Sequence, residues 1–353
     1  MTTPRLGFFS RLLEDAPAAD RYRFGLEQIQ HAERSGFASA WVAQHHFGAH
    51  EGGLPSPLVF LAAAAERTSR IGFGTAVLTL PIEDPVRAAE DAAVLDALSG
   101  GRLQLGVASG GTPGSFAAFG KDAAERAALH AEHLDVFRST LRGDGVRGTE
   151  SVAYPPAGDL ADRIWQATFS PAGGARAGAA GDGLLLSRTQ PRTPDAPDAT
   201  IGDIQQPIVD AYLDALPEGA APRILASRTA FVVDPDRRDE AFALAERGLR
   251  AVAAQLIGAY AADLPLAELI RLSDTHIGTV DEVVASLAAD PIITQATDVT
   301  FQVHSVAATH ELTLRSIELL GTQVAPRLGW ATGPDAADDL RDHHRAAARK
   351  EYA

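Results

Sequence analysis

Eight short runs of apolar, β-branched and aromatic residues recur along the chain, each separated from the next by a longer segment with helical spacing. The runs are Leu6–Phe9, Ala40–Ala43, Ile71–Thr79, Leu103–Ala108, Ile164–Thr168, Gly183–Leu186, Leu225–Val233 and Val299–Val303. Helix-like stretches fall at 20–35, 57–68, 85–97, 121–141, 172–181, 203–215, 237–260 and 308–324. A strand with one wet face alternates apolar and polar residues. These runs are nearly apolar throughout, which marks a parallel sheet covered on both faces. Eight strand–helix units predict an α/β fold closed into a (β/α)8 TIM barrel rather than two doubly wound sheets. One domain over 1–330 with extended loops at its C-terminal face, then a charged tail over 331–353, accounts for the whole length.

Local chemistry marks several boundaries. Ser99-Gly100-Gly101 ends a helix, where glycine takes the left-handed cap conformation, and Ser170-Pro171 opens one with an N-cap and a first-turn proline. The stretches 143–163 and 188–201 read as long connections, the second with prolines at 191, 194 and 197. Loops of that length are usually functional.

The charge balance narrows the function classes. Against 46 Asp+Glu stand 31 Lys+Arg, a formal net charge of −15, which opposes a nucleic-acid surface but not one bound phosphate. The absence of cysteine removes disulfides, thiolate metal sites and cysteine nucleophiles, and no H-E-x-x-H or comparable spacing points to a metal. The longest apolar run, Leu58 to Ala65, is too short to span a bilayer, and no signal-peptide core follows Met1, so a soluble cytoplasmic protein is expected.

Four segments carry candidate chemistry. Trp41-Val42-Ala43-Gln44-His45-His46-Phe47 runs a strand into two histidines at the barrel's active end, where histidine serves as acid, base or polar anchor. The residues alone leave open a plainer reading, with one histidine on a backbone carbonyl and the other solvated. Gly72 to Pro81 is a strand whose small residues admit a flat ligand, or simply a buried strand. Gly101-Arg102-Leu103-Gln104-Leu105-Gly106-Val107-Ala108-Ser109-Gly110-Gly111 lacks the G-x-G-x-x-G spacing, which sets a Rossmann nicotinamide site aside. Trp165 to Arg176 places Ser170, Gly173 and Gly174 at a helix start, a phosphate-binding turn or a tight structural one.

Together these segments resemble the bacterial luciferase-like, flavin-dependent monooxygenases. The blocks Q-H-H-F, G-T-A-V-L-T-L-P, D-P-V-R-A-A-E-D, G-R-L-Q-L-G-V and Ala177–Ser187 occur in that family's order, as do His276 to Val283 and Phe301-Gln302-Val303-His304-Ser305. The resemblance covers residues 5–330 and implies the same barrel, with reduced FMN across its mouth using dioxygen to oxidise a small organic substrate. It assigns acid/base work to His45 and a supporting role to His46. It places Gln44, Thr75, Ala76, Val77, Ala108, Ser109, Ala167 and Thr168 along the flavin, with a cis peptide at Ala76–Val77. Arg126, Ser170, Gly173 and Gly174 would hold the phosphate, so here the helix-cap argument and the resemblance converge. It further implies a separate flavin reductase and a homodimer, the Ala-rich segments 57–68 and 85–97 allowing close helix approach.

The chain departs from luciferases at Gln44, where they commonly carry Glu, and at Ala108 and Ser109, where they carry Cys and Arg. Light emission is therefore not implied, and the 143–163 and 188–201 connections leave the substrate pocket unassigned. An oxygen-transferring flavin needs a dry site, and 188–201 is the candidate lid. Alternatives are a deazaflavin-dependent hydride-transfer enzyme on the same barrel and a flavin-binding protein without turnover. An aldolase- or isomerase-type barrel would need Lys or paired carboxylates at strand ends, and none are found there.

Overall fold

Continuous apolar strands have to be covered on both faces, and the chain achieves this by closing its sheet. The computed structural model describes residues 3–48, 51–190, 192, 195–196, 198–257, 263–303, 308–333 and 336. Strands β1 (Arg5–Ser10), β2 (Ser39–Val42), β3 (Gly72–Thr75), β4 (Leu78–Thr79), β5 (Leu103–Ala108), β6 (Ile164–Ala167), β7 (Gly183–Leu186), β8 (Ile224–Val232), β9 (Thr275–Gly278) and β10 (Asp298–Gln302) are all parallel. The ring runs β1-β2-β3-β5-β6-β7-β8-β10 and returns to β1, the eight-stranded barrel expected. Helices α1 (Ala18–Arg34), α2 (Pro57–Ala65), α3 (Pro85–Ser99), α4 (Pro113–Ala118), α5 (Arg126–Arg142), α6 (Pro171–Ala179), α7 (Ile201–Ala215), α8 (Arg238–Ile257), α9 (Leu266–Leu272), α10 (Val280–Ala288) and α11 (His310–Leu319) connect the strands. The caps read from sequence form: Ser170 accepts from a first-turn amide of α6, and Gly100 ends α3 at φ 70°; Asp84 also accepts from first-turn amides of α3.

Three details differ from the expected pattern. The run Ile71–Thr79 divides into β3 and β4 around a cis Ala76–Val77 peptide, and β4 pairs with β5 rather than continuing β2's ladder. The segment 121–141 becomes helical only from Arg126, after a short turn, with α4 inserted before it. A strand and two helices, β9, α9 and α10, stand where no elements were expected. β9 pairs with the upper half of β8 alone while the lower half pairs with β10, so β8 forks. Its four residues include Thr275 and His276 and carry neither an apolar run nor alternation. His304, Ser305 and most of the 331–353 tail lie outside the described residues, as do several positions of 188–201.

The barrel interior is plugged by Trp41 and Trp165, whose rings meet edge to face at 5.7 Å and 84°. Gly74 and Gly183 make room for them: a Cβ there would stand 2.0 and 2.2 Å from the respective indoles. Each indole N–H, buried, has an acceptor, Ser39 Oγ and Gln104 Oε1, both at 2.9 Å. Phe9, Ala43, Leu185 and Leu225 pack around this pair and form the floor on which the site opens.

Candidate active site

Above the tryptophan plug, a cavity of about 780 Å³ opens among the C-terminal strand ends, ample for a cofactor-sized ligand. Its lining holds Arg11, Arg126, Arg176 and Arg188 and, among the described residues, no Asp or Glu. In a chain of net charge −15, that segregation builds an anion-attracting pit.

One pole lies at the end of β6. The Thr168 hydroxyl accepts from the Ser170 N–H at 3.1 Å, and Ser170 Oγ in turn accepts from the Gly173 N–H at 3.3 Å, opening α6. Only glycine fits at 173, since a Cβ would stand 1.9 Å from Thr168 Oγ1. Arg126 begins α5, and His130 follows one turn later on the same face, as i, i+4 spacing requires. Arg126 and Arg176 make no ion pair with a described residue, and His130 Nδ1 is buried without a hydrogen-bond partner. Free guanidiniums, a capped helix start and an orphaned ring nitrogen fit a phosphate. Between this pole and the next, Ala76, Val77, Ala108, Ser109 and Ala167 make a shelf of small side chains.

The second pole gathers around β1, β2 and β7. His45 follows β2; the Arg11 guanidinium, which can only donate, reaches its Nε2 at 3.4 Å. Nε2 is therefore the acceptor, and the neutral ring carries its proton on Nδ1. Arg11 also donates to the Glu51 carbonyl, while Arg188, just past β7, reaches Thr229 Oγ1 at 3.5 Å. Burial, then the charges of Arg11, Arg188 and His46, push His45 down to about 4. Burial and Arg176 push His130 down to about 4, against a backbone hydrogen bond with Ala108. Burial, followed by the charge of Arg11, pushes Arg188 down to about 9, with Asp274 acting in the opposite direction.

Both histidines are held below the ordinary value near 6.5, so the unfolded chain binds more protons between that value and about 4. Stability should accordingly fall as pH drops through that window. Thermal midpoints measured across it should decline, and His45→Gln and His130→Gln should each flatten the decline. An unchanged slope in both variants would remove burial of these rings as its cause.

The remaining sequence candidates divide by what their polar atoms already do. Gln44 lines the cavity, but its amide donates to Glu83 and the Pro55 carbonyl and accepts from the Thr79 N–H. It fixes the end of β4. His46 has a buried, unpartnered Nε2 and turns its ring edge-on to Phe119 at 4.9 Å, in an aromatic rim with Phe47. Thr75 and Gly174 lie outside the lining. The Thr75 hydroxyl donates to the Gly106 carbonyl at 2.8 Å, and Gly174 allows the α7 backbone to approach, a Cβ there standing 2.4 Å from the Ile208 carbonyl oxygen. Sequence reasoning missed Arg11, His130, Arg176 and Arg188 as site residues. Arg11 immediately follows β1 and Arg188 stands two residues past β7, the barrel positions that face a mouth. Among the described residues, no group of three His, Cys, Asp or Glu could hold a metal, and no helix is long and apolar enough to cross a membrane.

Comparison with known proteins places the chain in context. The family model described as luciferase-like monooxygenase matches residues 7–276. A 4-hydroxyprotoasukamycin monooxygenase of Streptomyces nodosus subsp. asukaensis is 42% identical over 119 residues, 34% of this chain and 32% of the relative. A limonene 1,2-monooxygenase of Rhodococcus erythropolis is 35% identical over 175 residues, 47% and 45% of the two chains. The chain thus spans between about a third and a half of these curated relatives. Among solved structures, the monooxygenase RslO1 from Streptomyces bottropensis superposes with a TM-score of 0.75 at 25% identity, covering 92% of this chain and 99% of that one. Two others share the fold. The oxygenating constituent of 3,6-diketocamphane monooxygenase from Pseudomonas putida, in complex with FMN, gives a TM-score of 0.72 at 19% identity, over 93% and 99% of the chains. An F420-dependent secondary alcohol dehydrogenase gives 0.68 at 17%, over 92% and 100%.

Proposed function

The chain belongs to the luciferase-like monooxygenase family, and on that premise we propose that it is an FMN-dependent monooxygenase that uses reduced flavin and dioxygen to oxidise a small organic substrate. The observation that carries this reading is a single cavity joining an anion cradle at Ser170–Gly173 to His45 across the Ala76–Val77 shelf. When bound, reduced FMN would supply the electrons that activate dioxygen. Arg126, Arg176, Ser170 and the α6 start would hold its phosphate, and the small side chains of the shelf would let its flat ring approach the backbone.

The rest is the work of this chain's side chains. His45 is neutral at physiological pH, with Arg11 fixing its tautomer; its Nδ1 proton is the one it can deliver to, or share with, the reacting oxygen. His46 orients the β2 end by packing into the aromatic rim. The apolar floor of Phe9, Leu185 and Leu225 keeps water from beneath the site. A separate reductase would deliver the reduced flavin, a reading supported by the neighbour that is the oxygenating constituent of its monooxygenase. Exposed Val59 on α2 and Val94 and Leu98 on α3 support a homodimer through that face.

The closely related alternative is a deazaflavin cofactor, which the F420-dependent relative on the same fold supports. Arg126→Gln tests the phosphate assignment: FMN affinity, read by fluorescence titration, should fall about 10- to 100-fold. A change under twofold would move the phosphate elsewhere.

A further inference from the structure

The cavity carries more positive charge than one phosphate can use. In the ring order, β6 stands four strands from β1, so the Ser170 turn and Arg11 lie on opposite sides of the mouth. Arg188 follows β7, the strand beside β6, but its side chain reaches Thr229 on β8 and comes near enough to Arg11 and His45 for their charges to interact. A phosphate at the first pole leaves Arg11 and Arg188 at the other with no carboxylate of the described residues in ion-pair range. Their partners are a histidine nitrogen, one carbonyl and one hydroxyl. A guanidinium removed from water without a counter-ion is costly, and such a group in a cavity points to a ligand.

The surroundings describe that ligand further. Ser227 and Thr300 are paired in register across β8 and β10, both line the cavity, and both hydroxyls are buried without a hydrogen-bond partner. Phe9 and Leu225 supply an apolar wall beside them. We propose that the Arg11–Arg188 pole is a substrate-specificity site for a carboxylate, so that this chain acts on small organic acids with an apolar body and a further hydrogen-bonding oxygen. This rests on the cofactor's phosphate occupying the opposite pole. Burial and the Arg11 charge hold Arg188 down to about 9, and an anion between the two guanidiniums would supply the opposite charge that offsets both.

The test compares benzoate with its neutral isostere benzamide by isothermal titration calorimetry on the full chain, with and without saturating FMN. Benzoate should bind about 10- to 100-fold more tightly than benzamide. Arg188→Gln should erase that preference while leaving FMN affinity unchanged, and Arg188→Lys should retain part of it. Equal binding of the two probes by the wild type, or a preference surviving in Arg188→Gln, would overturn the proposal. So would a loss of FMN affinity in Arg188→Gln matching that in Arg126→Gln, which would assign the second pole to the cofactor. If the chain binds no FMN, the cofactor reading fails by itself, while a benzoate preference that depends on Arg188 would still establish the anion site.

Discussion

His45→Ala is expected to lower kcat/KM about 10²- to 10⁴-fold while leaving FMN affinity within a few fold. The ring stands at the pole opposite the phosphate cradle, so its removal takes away a proton-handling group rather than a cofactor anchor. Because Arg11 occupies Nε2, an amide that restores a donor near Nδ1 should recover part of the loss. His45→Asn should therefore fall between Ala and wild type. Arg11→Gln should let the His45 pKa rise, since the Arg11 charge helps to depress it, and the acid limb of the activity profile should move up with it. Turnover within tenfold of wild type in His45→Ala would take this residue out of the chemistry.

Asp290→Ala should cost about 3–5 kcal/mol of stability, read from urea unfolding with an unchanged slope. Arg228 is fully buried on β8, and its Nε and Nη2 donate to the Asp290 carboxylate at 2.6 and 3.3 Å. Removing the acid leaves a guanidinium in the interior whose one remaining hydrogen-bond partner among the described residues is the Ser227 carbonyl, at 2.8 Å. Replacing both residues with apolar side chains, Arg228→Met with Asp290→Leu, should restore much of the loss, because neither charge then needs compensation. Burial works to raise the Asp290 pKa, but Arg228 and the Ile292 N–H prevail and hold it below the usual value. This contribution is therefore complete above the unfolded value near 3.8 and fades as pH falls through the lower folded one. A cost below about 1 kcal/mol in Asp290→Ala would show that the pair does not secure the β8 fork.

The barrel was legible because its strands are buried on both faces, which leaves apolar runs such as Leu103–Ala108 that no helix period explains. The division of Ile71–Thr79 was not legible from periodicity. The residues there are small and apolar on both sides of Ala76–Val77, and only the family resemblance marked that peptide. β9 was hidden for a physical reason: it adds to one edge of β8 outside the ring, and although most of it is buried its four residues are Thr, His, Ile and Gly, so Thr275 and His276 break any apolar run or alternation. At the site, residue type alone left a plainer structural reading open for His45, Ser170 and Gly173, since histidines and capped helix starts are common in cores and turns. The family resemblance singled them out, and all three line one cavity. Thr75 and Gly174 look equally functional in sequence, yet one satisfies a carbonyl and the other admits a neighbouring helix. Arg11 and Arg188 went unseen among 31 basic residues, since what distinguishes them is that, among the described residues, no acid comes close enough to pair with them, a property of three dimensions. His130 carried a signal in its i, i+4 spacing from Arg126.

The most direct test of the central claim is an anaerobic titration of the purified chain with reduced FMN and, separately, reduced deazaflavin. Dioxygen is then admitted to each complex while its absorbance is followed. The account predicts preferential binding of reduced FMN and a reoxidation course that differs from free FMN and is altered in His45→Ala. Preference for the deazaflavin with no response to dioxygen would contradict it and move the chain to hydride transfer.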